Sequence, residues 1–374
     1  MVAVAADRGG MTGLLDDQGM AERILGHVAA GTTDLGAETW REPVANYRSP
    51  ARLEREIERV LRRTPTVFCP SAAIPEAGSY VAREAAGVPI VAVRGHDGTV
   101  RAFRNACRHR GMQVASGSGC ATAFSCRYHG WTYRLDGALA HVPHEHGFPG
   151  LDKEAHGLSP VDAVERGGLV FVTQDSGALL DDMPSFLEGD QRVFATGERE
   201  VEANWKIVAE GFLEGYHIRA THKDTFYPYG FDNLNVVESF GRNSRVTFPF
   251  RRIARLAALA PAERRVDGML TYVYHLFPNV MIAVLSRHTK VVVLEPVSVD
   301  RTRLVTYSLG GGEVDEAAAR DAAFVDQTGA AEDREVTRAI QRGLASGAND
   351  AFTFGRFEGA IVHFHRALAA ALAG

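Results

Sequence analysis

Several features common in chains of this length are missing. No stretch approaches the about eighteen apolar residues that a membrane-crossing helix needs. The opening MVAVAADRGGMTGLLDDQG has no basic segment leading into an apolar core, so no secretory signal is read there and cytoplasmic residence is the expectation. Neither charge sign dominates: 41 Lys and Arg stand against 46 Asp and Glu, a formal net charge of -5. A phosphate backbone needs a concentrated basic face, so nucleic-acid and membrane partners are not expected. No G-x-G-x-x-G follows a predicted strand, which excludes a dinucleotide fold within this chain. Cysteine is scarce, four in 374 residues. That number cannot staple a protein of this size, so any clustering of the cysteines points to metal binding or catalysis. There is no internal repeat and no long low-complexity tract.

What is present is ordinary globular composition, 45% hydrophobic and 23% charged, over a length that exceeds what one core usually serves. Two domains are therefore expected. After a Gly, Ala and Asp-rich segment over 1–44, SPARLEREIERVLRR shows helical periodicity with Ser49 as cap and Pro50 in the first turn; a helix over 45–65 is predicted to pack on the second domain. Short strands follow, VPIVAVRG and TVRAFRNA around the turn HDG, then FSCRYHGWTYRLDGALA with Asp136-Gly137 as a hairpin turn. This is an all-β domain over 66–176. The remainder, 177–374, begins with a helical pattern in ANWKIVAEGFLEGYHIRATH, continues through β-branched runs such as TKVVVLEPVSV and RLVTYSL, and returns to helix. An antiparallel sheet carrying helices on one face, an α+β class, is predicted.

Three of the four cysteines and two histidines fall within residues 107 to 131, CRHRGMQVASGSGCATAFSCRYHGW. Cys107, His109, Cys126 and His129 read C-x-H-x16-C-x-x-H, each pair on a loop between predicted strands. Zinc sites usually pair like ligands. Here each short pair is mixed, which matches the Rieske [2Fe-2S] arrangement: Cys107 and Cys126 on one iron, His109 and His129 on the other. A structural Cys2His2 zinc site is the alternative. Cys69 and Cys120 are read as free thiols, Cys120 in the Gly/Ser-rich loop between the two pairs.

The wording NACRHRGMQV and CRYHGWTYRLDGAL closely resembles the Rieske module of the ring-hydroxylating oxygenase family, and the likeness runs on from about residue 45 into the second domain. The family resemblance implies an N-terminal all-β Rieske domain followed by a catalytic domain of antiparallel-sheet, helix-grip (START-like) fold with a mononuclear Fe(II). In NWKIVAEGFLEGYHIRATH, Glu214 and His217 are three apart, read as sharing one helical face, and His222 lies five beyond, so the helix must end or distort for both imidazoles to meet one ion. Two histidines and one carboxylate make the facial triad of non-haem Fe(II) oxygenases.

By resemblance, His217 and His222 bind the iron, Glu214 bridges toward the cluster histidine of a neighbouring subunit, and Asp333 in EDREVTRAIQRGLAS is the third ligand, with Asp326, Glu332 and Asp350 as competitors. The family usually has Asp at the bridge and Asn where Gly211 stands. Glu214 resembles the choline, betaine and carnitine monooxygenase subgroup. The family also implies O2 as co-substrate, electrons from NAD(P)H through a separate flavin reductase or ferredoxin, and a head-to-tail homotrimer; the 374-residue length without obvious insertions suggests no small β subunit. A small substrate would be hydroxylated or oxidatively demethylated; monooxygenation is preferred over cis-dihydroxylation of an arene, and a Rieske electron carrier with a ligand-binding domain is the rival class. His363 and His365 are read as packing or surface positions, and His141, His144 and His146 as a loop cluster. Phe212, Tyr227, Tyr229, Tyr274 and Phe277 are read as core, with a pocket or cation cage as the alternative.

Overall fold

The computed structural model describes residues 13–175, 187, 190–312 and 316–373; the predicted boundary at 176/177 and the start of the 1–44 segment lie outside them. The chain divides into two compact units, residues 62–179 on one side and 1–61 with 180–374 on the other. Among the described residues no helix is long and apolar enough to cross a membrane.

The smaller unit is built of strands. Val88–Arg94 pairs antiparallel with Val100–Arg104 around a turn whose Gly98 takes φ 77°. The seven-stranded sheet runs, in spatial order, Thr66–Pro70, Leu169–Thr173, Pro160–Arg166, Val100–Arg104, Val88–Arg94, Ser79–Ala85 and Gly117–Cys120. A three-stranded sheet of Phe124–Ser125, Thr132–Tyr133 and Leu139–His141 accompanies it. Val91, Val93, Phe103, Trp131, Tyr133 and Leu135 form a core cluster that includes Cys107 and Cys126. Burying both sulfurs among apolar side chains removes them from solvent and leaves the loops that carry them anchored at their roots. Cys120 lies at the end of an edge strand, not in a loop, and is exposed; Cys69 is buried, and both are free thiols.

In the larger unit the β-branched runs form a seven-stranded antiparallel sheet ordered Gln191–Val201, Arg301–Gly311, Thr289–Ser298, Val280–Val284, Leu270–Leu276, Asn243–Pro249 and Val236–Phe240. The helix Gly359–Ala373 turns Ala360, Ile361, Phe364 and Leu368 into a core shared with Trp205, Val208, Met281, Val292 and Leu294. That spacing is one helical stripe laid on the sheet. Trp205 is fully buried, and truncating it to Ala would cost about 3–5 kcal/mol. Ser49 caps the helix Pro50–Glu56, whose π-helical continuation Ile57–Leu61 sends Val60 into the same core. Two helices went unread in the sequence: Asp17–Ala30, capped by Asp16, and Glu316–Gln327.

The single helix expected over 204–222 is two short ones, Trp205–Gly211 and Ile218–Thr221. Asn204 caps the first through the Lys206 N–H. Glu214 and His217 therefore share a loop between helices, not a helical face.

Candidate metal centres

The two Cys/His loops of the smaller unit repeat one backbone pattern. The Cys107 N–H donates to the Met112 carbonyl and the Gly111 N–H to the Cys107 carbonyl; the Cys126 N–H donates to the Trp131 carbonyl and the Gly130 N–H to the Cys126 carbonyl, all at 2.8 Å. Each turn closes on a glycine in the left-handed region, Gly111 at φ 80° and Gly130 at φ 76°, which side chains with a Cβ rarely adopt. The loops bring the imidazoles of His109 and His129 to 4.7 Å between ring centroids. Trp131 stacks on His109 at 5.0 Å and Tyr128 on His129 at 3.7 Å, fixing both rings. Buried Tyr133 places its hydroxyl 3.2 Å from Cys107 Sγ while accepting the Arg108 N–H at 2.8 Å.

This donor set can be tested against one metal or two. In a tetrahedral zinc site all four donors lie about 3.3–3.8 Å apart, given Zn–S and Zn–N bonds of about 2.3 and 2.0 Å. Among the described residues the group of three or more His, Cys, Asp or Glu with ligand atoms mutually within 4.8 Å is His217, His222 and Asp333; the Cys/His loops do not form one. Two thiolates and two imidazoles of which no three donor atoms converge fit a two-iron cluster better than a single ion. His109 Nδ1, a buried atom without a hydrogen-bond partner, is the orphan such a cluster would satisfy.

In the larger unit two distant segments converge, one carrying His217 and His222 and the other Asp333. His222 is buried, and its Nε2 lies 2.9 Å from Asp333 Oδ1; His217 Nε2 lies 3.6 Å from the same oxygen. Asp333 sits near the start of the helix Gly329–Gly343, so the expected acid is the one that meets both imidazoles. Of its competitors, Asp326 pairs with Lys290, the Asp350 carbonyl accepts the Val44 N–H, and Glu332 contacts the far nitrogen of His222, Nδ1, at 2.7 Å.

Glu214 holds the loop before the second helix. One carboxylate oxygen accepts the N–H groups of Tyr216 and His217 and the other meets His217 Nδ1. Gly215 fits because its position has no room for a side chain: a Cβ there would lie 2.5 Å from the Asn235 side chain.

Burial alone lowers the pKa of both imidazoles, and the carboxylates around them reverse it: Glu214 and Asp333 for His217, Asp333 and Glu332 for His222 leave both titrating above the ordinary histidine range. Nearby Glu358 is pushed up to about 7 by burial, with the charges of Glu214 and Glu210 adding to the effect. Several carboxylates around two imidazoles make a strongly negative enclosure, so a cation placed among them is electrostatically favoured.

His365 is neither surface nor simple packing. It is buried, its Nε2 lies 2.8 Å from Glu210 Oε1, and the Tyr47 hydroxyl donates to the same oxygen at 2.6 Å. His141, His144 and His146 do not form a convergent group with three ligand atoms. The cation-cage alternative finds no support at Tyr227 or Tyr274: guanidinium groups of Arg219 and Arg251 lie over Tyr227, and that of Arg245 over Tyr274. Phe277 is in the core, Phe212 packs against it, and Tyr229 is exposed. Glu332, Thr225 and Glu358 are site residues that sequence reasoning missed or misplaced; the adjacent acids Glu332-Asp333 were the available signal.

Comparison with known proteins matches both units to described domains. Residues 64–153 match the Rieske [2Fe-2S] domain, and residues 188–374 the ring hydroxylating alpha subunit (catalytic domain). The carnitine monooxygenase oxygenase subunit of Acinetobacter pittii (strain PHEA-2) is 31% identical over 229 residues, 56% of this chain and 62% of that protein. The chain thus spans about three fifths of that relative's length. The subunit of the same description from Escherichia coli (strain K12) is 31% identical over 269 residues, 64% of this chain and 72% of that protein. A crystal structure of a quaternary ammonium Rieske monooxygenase in complex with an inhibitor superposes with TM-score 0.79 at 24% identity, covering 89% of this chain and 95% of that one. A Rieske domain joined to a catalytic domain whose histidines and aspartate converge as above places this chain in the ring-hydroxylating oxygenase alpha-subunit family, whose cofactors are a [2Fe-2S] cluster and a mononuclear iron.

Proposed function

We propose that this chain is the terminal oxygenase component of a Rieske non-haem iron system that oxidises a small organic substrate with O2, monooxygenation being favoured. In this reading Cys107, His109, Cys126 and His129 hold the cluster, and His217, His222 and Asp333 hold Fe(II). The observation that carries it is the convergence of those last three ligand atoms within 4.8 Å of one another. Two imidazoles and one carboxylate occupy one side of an ion and leave the rest of its coordination sphere to other ligands. When bound, the iron supplies activation of O2 and the cluster supplies electrons one at a time.

The protein's own residues set the conditions. Glu214 accepts the Nδ1–H of His217, which fixes the tautomer that leaves Nε2 free as a ligand. Its half-buried carboxylate is the group through which an imidazole of a neighbouring subunit would be joined to His217. A head-to-tail homotrimer follows from that role, since heterologous contacts that close give a ring. Electrons come from NAD(P)H through a separate flavin reductase, with or without a ferredoxin, and the system is cytoplasmic. Relatives described as carnitine monooxygenase subunits support a substrate of the quaternary ammonium class.

The test is a single turnover. Chemically reduced protein is mixed with O2 and, separately, carnitine, betaine, choline, aromatic acids and arenes, with products read by mass. Addition of one oxygen atom to a quaternary amine, or its oxidative cleavage, supports the reading. Two added oxygens on an arene would favour ring dihydroxylation, and reoxidation with no product from any substrate would favour an electron carrier.

A further inference from the structure

Each of the two clustered imidazoles carries a carboxylate on its Nδ1 side. For His217 that partner is Glu214, three residues earlier in the same loop. For His222 it comes from 110 residues away: Glu332 Oε2 lies 2.7 Å from Nδ1. The Thr225 hydroxyl donates to the same Glu332 oxygen at 2.7 Å. Both nitrogens of His222 are thus gripped from one helix by consecutive acids, Asp333 at Nε2 and Glu332 at Nδ1. The imidazole itself is 1% exposed, while the Glu332 side chain is 32% exposed. A carboxylate can only accept, so the nitrogen facing Glu332 carries a proton, and Nε2, on the Asp333 side, is the nitrogen left to offer its lone pair to a metal held there. Glu332 is on the wrong nitrogen to be a ligand beside Asp333.

We propose that Glu332 is a positioning residue for the iron site, fixing the tautomer and ring angle of His222, with Thr225 steadying its carboxylate. The proposal rests on the reading of His217, His222 and Asp333 as the ligand set. Carboxylate partners of this kind orient a ligating imidazole and raise its basicity, and their loss typically weakens metal binding by about 10–100-fold.

The experiment measures Fe(II) affinity, independently of turnover. Protein with its cluster intact and its mononuclear site emptied by chelator is titrated anaerobically with Fe(II) against a competing chelator, with cluster absorbance reporting that each variant is folded. Glu332→Leu, close in shape but without an acceptor, is expected to bind Fe(II) about 10–100-fold more weakly. Glu332→Gln, whose amide oxygen can still accept from Nδ1–H, is expected to recover most of that loss. Thr225→Val, which deletes only the steadying hydroxyl, is expected to lose part of the affinity and serves if the leucine variant does not fold. Wild-type affinity in Glu332→Leu, or a Glu332→Gln no better than the leucine variant, overturns the role of Glu332. Asp333→Ala is the control on the ligand set itself: if it binds Fe(II) as tightly as wild type, the site reading falls and the proposal with it.

Discussion

Glu214 engages His217 twice, through the ring Nδ1 and through the backbone N–H at 3.1 Å, and also accepts the neighbouring Tyr216 N–H. An amide in its place can still accept from the backbone but no longer carries the charge that would join two imidazoles. Glu214→Gln is expected to retain both metals and to slow product formation by on the order of 10–100-fold. Iron analysis beside steady-state rates with a reductase checks this, and unimpaired turnover removes the bridging role.

On the proposed ligand set, Tyr133 would tune the cluster. Its hydroxyl lies 3.2 Å from Cys107 Sγ, and a donor to a cluster sulfur stabilises the more negative, reduced state. Tyr133→Phe is therefore expected to lower the reduction potential by on the order of tens of millivolts. Redox titration followed by magnetic resonance of the reduced cluster gives the shift and its sign.

Two glycines six residues or fewer from His217 make opposite predictions. A Cβ at Gly215 would meet Asn235 at 2.5 Å, whereas at Gly211 it would have nothing within 4 Å. Gly215→Ala is expected to cost about 1–3 kcal/mol in unfolding free energy and to loosen iron retention. Gly211→Ala, in open space at the end of a helix, is expected to be neutral or stabilising by about 0.5–1 kcal/mol. Denaturant unfolding of both variants separates the two cases.

His275 gives the larger unit a pH dependence. It is fully buried, its Nε2 meets the Pro278 carbonyl at 3.0 Å, and burial lowers its pKa from the ordinary 6.5 to about 4. Between those values the unfolded chain binds a proton that the folded chain excludes, so the contribution is intact above pH 6.5 and is lost as pH falls toward 4. The loss is roughly 3 kcal/mol. His275→Leu is expected to flatten the stability profile over that interval, measured as unfolding midpoint against pH.

Much of the site was legible because its chemistry is local. Mixed Cys/His pairs two or three residues apart need only a hairpin loop to present them, and alternating β-branched runs announce their strands. The sequence required the helix to end or distort before His222 but not where; the packing of the loop at Gly215 depends on Asn235, twenty residues further along the chain. Glu332 was readable as an acid beside Asp333, but which nitrogen it meets depends on how the helix Gly329–Gly343 lies against His222. His365 looked like an ordinary histidine of an amphipathic helix because its partners, Glu210 and Tyr47, lie 155 and 318 positions away.

The central claim is that one chain holds two separate iron centres on the two ligand sets. Iron and acid-labile sulfide are to be counted per chain in wild type and in Asp333→Ala. The account predicts about three irons and two sulfides in wild type, falling to about two irons with unchanged sulfide and cluster colour in the variant. Two irons in wild type, or three in Asp333→Ala, would contradict it.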